Sequence, residues 1–318
     1  MGFLKLNKEN FKPLSFQYHK ILSQNFSLNS IVNYKDDIFI ASNSGIYVFP
    51  SERPLYIMNE ENGLVCENIK TLEILNDKLY AIAEGSVKGL IEIDLKTGIS
   101  KIIFSKKQEE NKKGIEGKTI AGIKSDKEEK IFWIVVGKRD PLICSAEDET
   151  AIFKYNPETG KYEKFKYSYQ KTEDWLNFAG LLDFDDFKKN KNHLILSVFP
   201  KMIVQKDNSL SEKYWICDIF DFDIKNRNLK RYIIKSPSEE ESLWNEKKQP
   251  FTIIPLENKY LVVSKQNMII FEQESGNVEV IWQNKTDKTK YINDIILTEK
   301  GLFVLTSDTL YLIPEIKN

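Results

Sequence analysis

Four segments of this chain share one phrase. They read LIEIDLKTGISKII (90–103), IFKYNPETGKYEKF (152–165), IFDFDIKNRNLKRY (219–232) and MIIFEQESGNVEVI (268–281). Each is an alternating apolar run, a polar turn, and a second alternating run. Alternation sends successive side chains to opposite faces of a strand, so each phrase predicts an antiparallel hairpin. A hairpin recurring at spacings of roughly 50 to 67 residues cannot bury its apolar faces alone. Stacking on its neighbours does so, and the chain reads as a repeat architecture.

The rest of a four-stranded unit surrounds each hairpin. The clearest unit places strands at 69–75, 78–83, 89–94 and 99–104, with Asn76-Asp77 and Lys96-Thr97-Gly98 as turns. The predicted fold is all-β: a single β-propeller over 1–318. Its four-stranded blades lie near 29–58, 69–104, 119–165, 177–234, 251–282 and 291–313. That makes six blades; seven is the count if the long insertions conceal another. The last unit stops after three strands. The unassigned alternating segment 16–22 is expected to supply the fourth, joining the two ends of the chain and removing open sheet edges.

Composition excludes several function classes. Lys and Arg number 46 against 47 Asp and Glu, a net charge of −1, without the basic excess that a nucleic-acid or anionic-membrane surface needs. The apolar runs are strand-length, so no transmembrane helix is expected. Cys66, Cys144 and Cys217 are odd in number and widely scattered, which is no disulfide framework. His19 and His193 complete a set too sparse for zinc. Asp183, Asp185 and Asp186 cluster, but without the glycine and the spaced glutamate of a calcium loop. No phosphate loop, dinucleotide fingerprint or nucleophile elbow is present, and no cofactor is expected.

The segments NGLVCENIKTLEI (62–74), NDKLYAIAEG (76–85) and GLIEID (89–94) resemble the two-component-regulator type of propeller repeat. SGIYVF (44–49) and KGLFVLT (300–306) echo it. The resemblance implies the propeller fold, and ligand or protein binding outside the cytoplasm. The start, MGFLKLNKEN, lacks the apolar stretch of a signal peptide. A periplasmic or extracellular location is therefore expected with a signal segment removed ahead of it.

Strand order locates a site. If each first strand runs from one face of the disc to the other, the connections at 105–118, 137–150, 166–176, 200–213 and 235–250 all return to the first face. Long connections in a compact domain carry function or simply accumulate where they do no harm. On the same face, Asn29, Asn68, Thr119, Asn177, Thr252 and Asn293 open the inner strands, at positions that read as comparable. They are either a polar ring that binds a ligand through amides and hydroxyls, or groups that satisfy backbone near their own strand starts. Trp175 and Trp244 lie in the long connections as stacking platforms or as pins for their loops, and Arg139 adds charge to another.

The function expected from these readings is a non-catalytic binding or scaffold propeller, monomeric, that engages a protein or glycan. The alternative is a propeller enzyme of hydrolase or lyase type, with active residues at the channel mouth.

Overall fold

The computed structural model describes residues 12–13, 27–49, 56–105, 120–136, 151–165, 178–185, 193–198, 217–234, 250–256, 259–264, 267–272, 275, 277–283, 291–298, 301–306 and 310–313. The chain opens with β1 (Lys12–Pro13). Four strands then pair in order as β2 (Leu28–Tyr34), β3 (Asp37–Ser42), β4 (Gly45–Phe49) and β5 (Tyr56–Met58). The next sheet is β6 (Ile69–Leu75), β7 (Lys78–Ala83), β8 (Gly89–Ile93) and β9 (Ser100–Ser105). The third is β10 (Ile120–Asp126), β11 (Ile131–Val136), β12 (Ala151–Tyr155) and β13 (Tyr162–Phe165). The fourth is β14 (Phe178–Asp185), β15 (His193–Val198), β16 (Cys217–Asp223) and β17 (Asn228–Ile234). The fifth is β18 (Pro250–Leu256), β19 (Lys259–Ser264), β20 (Asn267–Glu272) and β21 (Val278–Gln283). The last joins β22 (Ile292–Thr298), β23 (Gly301–Thr306) and β24 (Leu310–Ile313) to β1, in the order β1-β24-β23-β22.

The described strand pairs are antiparallel, and they join sequence neighbours in every sheet but the last. There β1 pairs with β24 from the far end of the chain, with Lys12 facing Leu312 and Pro13 facing Tyr311. The segment 16–22, expected to make this pairing, lies outside the described residues. The first strands touch in sequence: β2 with β6, β6 with β10, β10 with β14, β14 with β18, β18 with β22, and β22 with β2. The fold is an all-β propeller.

The phrase turns of the second, third and fourth sheets share one construction. In the second sheet the Asp94 Oδ1 accepts hydrogen bonds from the amides of Lys96 and Thr97 and from the Thr97 hydroxyl. Gly98 then takes φ +75° and returns its N–H to the Asp94 carbonyl. In the third sheet Asn156 Oδ1 accepts from Glu158 and Thr159, and Gly160 closes the turn at φ +67°. A short polar side chain stabilises the turn locally, and glycine supplies the left-handed residue at no steric cost. The fourth sheet puts Arg227 in that place at φ 54°.

Packing between sheets supplies the core. Phe39, Ile46, Val48 and Met58 of the first sheet bury against Leu72, Leu79, Ala81 and Ile91 of the second. Tyr80, Ile82 and Leu90 meet Phe132, Ile134 and Phe153 in the same way, with the Tyr80 and Phe132 rings edge to face at 4.7 Å. Leu28, Ile31, Ile40 and Tyr47 close on Phe303, Leu305 and Leu310, so an apolar layer also joins the last sheet to the first. Middle strands are apolar on both faces for this reason; β11 and β23 are buried along their whole length.

The Asn62-Gly63-Leu64 turn has a physical basis. Gly63 sits at φ +110° against Ile99, and Leu64 enters the core. The Asn62 side chain accepts the Asn59 amide and donates to the Ile57 carbonyl. The Gly63 carbonyl receives the Ser100 amide at 3.0 Å, which ties the connection to the second sheet.

Candidate functional site

Every first strand carries an irregularity at the same place. Register shifts fall between Leu28 and Ser30, Ile69 and Thr71, Ile120 and Gly122, Phe178 and Gly180, Pro250 and Thr252, and Ile292 and Asp294. One extra residue in each strand is thus a bulge, which leaves that residue out of the ladder and re-aims the side chains beyond it. The bulges stand at the end of the ring where the strands begin.

Two of the expected ring residues occupy the bulge itself. Asn29 Nδ2 donates to the Ile69 carbonyl of the next sheet at 2.7 Å, and its Oδ1 accepts the Ser27 hydroxyl at 3.0 Å. Asn293 Nδ2 donates to the Leu28 carbonyl in the same way. The next residue of each strand forms a second row. Asp294 Oδ2 accepts the Ile31 amide at 2.9 Å, and Ser30 Oγ accepts the Leu72 amide at 3.4 Å. Both seams are therefore joined twice by consecutive side chains: an amide gives to a carbonyl, and an oxygen then takes from an amide three residues further along.

Two other expected residues, Asn68 and Thr252, stand elsewhere. Asn68 precedes β6, and its carbonyl accepts the Glu84 amide at 2.8 Å. Thr252 lies one residue past its bulge, facing Val263 across the ladder. Thr119, Asn177, Arg139, Trp175 and Trp244 lie outside the described residues. The four of these residues that are described, Asn29, Asn68, Thr252 and Asn293, are not one register class. Choosing the first polar residue of each strand mixes the bulge, the residue before the strand and the residue after the bulge, because a bulge has no period-two signature.

Charge gathers further along the strands. Lys124 Nζ of β10 lies 3.3 Å from Glu73 Oε1 of β6. The other Glu73 oxygen accepts the Ser125 hydroxyl at 2.9 Å and the Ser125 amide at 3.3 Å. The Glu73 side chain is only 12% exposed, so this contact is partly shielded from water and from salt. Nearer the strand starts, Lys70 and Glu84 pair at 2.6 Å with about a third of each side chain exposed. Screening at that exposure leaves this pair worth little, about 0–1 kcal/mol.

Asp294 is the unusual group. It keeps some accessible surface, yet protein crowds it closely. Burial pushes its carboxyl above the ordinary range. The Lys124 charge and hydrogen bonds from Ile31, Ser30 and Ile295 pull it down without fully offsetting the burial.

Asp294, Ser30, Lys124 and Glu73 are not among the residues that pattern reading selects. One signal for them exists in the sequence. Leu28-Asn29-Ser30-Ile31 and Ile292-Asn293-Asp294-Ile295 are the same four-residue formula, an apolar residue, Asn, an oxygen-bearing residue and Ile, at the two ends of the chain. Glu73 and Lys124 have no such marker.

No protein-family model matches the chain, and no curated protein matches it. Its likenesses are to solved structures. One is the extracellular domain assigned to a hybrid two-component system of Bacteroides thetaiotaomicron, at 13% identity and a TM-score of 0.53. That match covers 97% of this chain but 40% of the other, so this chain spans well under half of that domain. A second is a protein of unknown function from the same organism, at 9% identity and a TM-score of 0.56, covering 90% of this chain and 69% of that one. A third is an auxiliary nutrient binding protein from B. thetaiotaomicron, at 9% identity and a TM-score of 0.54, covering 90% and 68%. At these identities the likeness is one of fold.

Proposed function

We propose that this chain is a non-catalytic binding propeller, a single domain of six blades closed by its N-terminal strand, acting outside the cytoplasm. It would take a protein or glycan at the face where the first strands begin. The observation that carries this reading is the polar character of the inner strands. Asp294, Glu73 and Lys124, each only partly buried, bring both signs of charge to the inner strands of the ring. Polar groups fixed by backbone hydrogen bonds on packed strands are pre-organised for recognition, which lowers the ordering cost of binding.

The long connections bearing Arg139, Trp175 and Trp244 belong to the same proposal, as an outer contact surface. The solved structures similar in fold include an extracellular domain and a nutrient binding protein, and those roles, which are theirs, favour binding over chemistry here. Among the described residues no helix is long and apolar enough to cross a membrane.

The test is capture of a partner from native extracts and glycan arrays by the full chain, compared with Trp175→Ala plus Trp244→Ala. The expected result is a specific partner held at least tenfold less well by the variant. Equal capture by both proteins, with the variant folded, removes the long connections from the site. Turnover of a captured glycan would replace the binding reading with the enzyme one.

A further inference from the structure

The chain contains one Asn-Gly pair, Asn62-Gly63, in the turn that leads from the first sheet to the second. The pair has a chemistry of its own. Glycine carries no Cβ, so its amide nitrogen is the least hindered backbone nucleophile that the preceding side-chain amide can meet. Asn62 and Gly63 are both exposed, so water reaches them. What the fold withholds is freedom. Asn62 Oδ1 accepts the Asn59 amide at 2.7 Å, and Nδ2 donates to the Ile57 carbonyl at 2.6 Å. Both partners lie upstream, so the side chain is held back from the Gly63 nitrogen. The Gly63 amide itself donates to the Glu60 carbonyl at 3.4 Å. Ser100 of β9 clasps the far side of the turn: its Oγ accepts the Val65 amide at 2.7 Å and donates to the Gly63 carbonyl at 3.3 Å.

We propose that Asn62 is a site of spontaneous deamidation, gated by opening of this clasp. When the turn opens, the Gly63 nitrogen loses its proton to water and bonds to Asn62 Cγ, and Nδ2 takes up a proton and leaves as ammonia. Water then opens the resulting succinimide at either carbonyl, restores the Gly63 N–H, and leaves aspartate or isoaspartate. Water is consumed and ammonia released, with no change of oxidation state. The turn cannot then close as before. Aspartate lacks the Nδ2 donor and sets a carboxylate beside the Ile57 carbonyl, next to Glu60 and Glu61. Isoaspartate lengthens the main chain just ahead of Gly63, where an added Cβ would already stand 3.1 Å from Ile99 Cγ1. None of this depends on what the propeller binds.

The experiment incubates the full chain in mildly alkaline buffer, folded and unfolded in guanidinium chloride. Peptide mass spectrometry follows conversion at Asn62, with isoaspartate detected separately. The expected result is conversion on the order of tenfold slower in the folded chain, rising with denaturant below the unfolding transition as local opening does. Ser100→Ala removes both hydroxyl bonds without touching the reacting residues. It should speed conversion in the folded chain about fivefold, the factor by which losing one hydrogen bond raises an open population.

Equal rates in the folded and unfolded chain overturn the gate, and no conversion in the unfolded chain removes the site. An unchanged rate in folded Ser100→Ala also overturns the proposal. If Ser100→Ala fails to fold, the wild type decides: a rate that stays flat with denaturant until the whole chain unfolds shows that the clasp does not open by itself.

Discussion

The Asp294 carboxylate accepts the Ile31 amide at 2.9 Å across 263 residues of sequence. The bond joins the last sheet to the first, and beside it Asn293 reaches the Leu28 carbonyl. The same pair of bonds, from Asn29 and Ser30, recurs one seam further on. The chain's two ends are therefore joined by the device that joins ordinary neighbours, on top of the shared apolar layer of Ile31, Tyr47, Phe303 and Leu305. The apolar layer contributes more: each fully buried side chain of that size is worth about 1.5–3 kcal/mol, against about 1 kcal/mol for a neutral hydrogen bond. Burial holds the seam, and the polar bonds set its register.

Asn29→Ala should cost about 1 kcal/mol, because it leaves the part-buried Ile69 carbonyl without this donor. Asn293→Ala should cost a similar amount at the other seam, and the double variant should be near additive, since the two amides serve different carbonyls. Urea unfolding reads this directly. No loss of stability in either variant would mean that these amides are not seam bonds and are open to a ligand.

Gly89→Ala should be severe. A Cβ there would collide with the Phe104 carbonyl oxygen and lie 2.7 Å from the Ser105 Cα, both backbone that cannot yield cheaply. The expected loss is about 3 kcal/mol or more. Gly160→Ala is the control: its φ is +67° but no atom lies within 4 Å of the new methyl, so only the left-handed backbone opposes it, at about 1 kcal/mol. Equal losses in thermal unfolding would contradict the close approach of β8 and β9.

Asp294 gives a pH signature of definite sign. Its folded-state value is raised by burial, so between the unfolded value of about 3.9 and the higher folded value the native state holds a proton that the unfolded chain has released. Stability from this group is present below that window and declines as pH rises through it. Glu92 and Glu272 act oppositely. Burial pushes the Glu92 carboxyl up, but hydrogen bonds from Lys101, Lys78 and Tyr80 together outweigh it and hold the group below the ordinary range. The Ser275 hydroxyl does most to lower Glu272. The contribution of these two groups is lost as pH falls. Comparing variants isolates Asp294: Asp294→Asn should gain on the wild type as pH climbs from about 4 toward neutrality, by about 1.4 kcal/mol for each pH unit separating the folded and unfolded values. A flat difference would place the carboxylate in water.

Removing residues through Pro13 takes β1 from the last sheet and exposes the β24 edge. The melting temperature should fall by about 2–4 °C for each kcal/mol lost, and strand-edge association should rise. An unchanged melting temperature together with a monodisperse solution would show that β1 contributes nothing to closing that sheet.

Local chemistry is legible in the residues themselves. The Asp94 and Asn156 turns arise from a short polar side chain and a glycine four residues apart, and β6 and β7 cover the spans that alternation predicts. The polar ring is less legible. Asn29 and Asn293 stand out as polar residues at strand starts, but nothing in the pattern marks them as inter-sheet donors, and Asn68 and Thr252 stand in other registers.

Sequence alone determines what depends on neighbours a few residues apart: strand alternation, turn geometry, the apolar middle strands, and hence an all-β repeat fold. Tertiary structure alone decides which side chains meet. The bulge after the first residue of each inner strand shifts facing by one position, and bonds such as Asp294 to Ile31 or Lys124 to Glu73 join different sheets. Their energies depend on burial and on charges brought together by the ring, and no local pattern encodes that proximity.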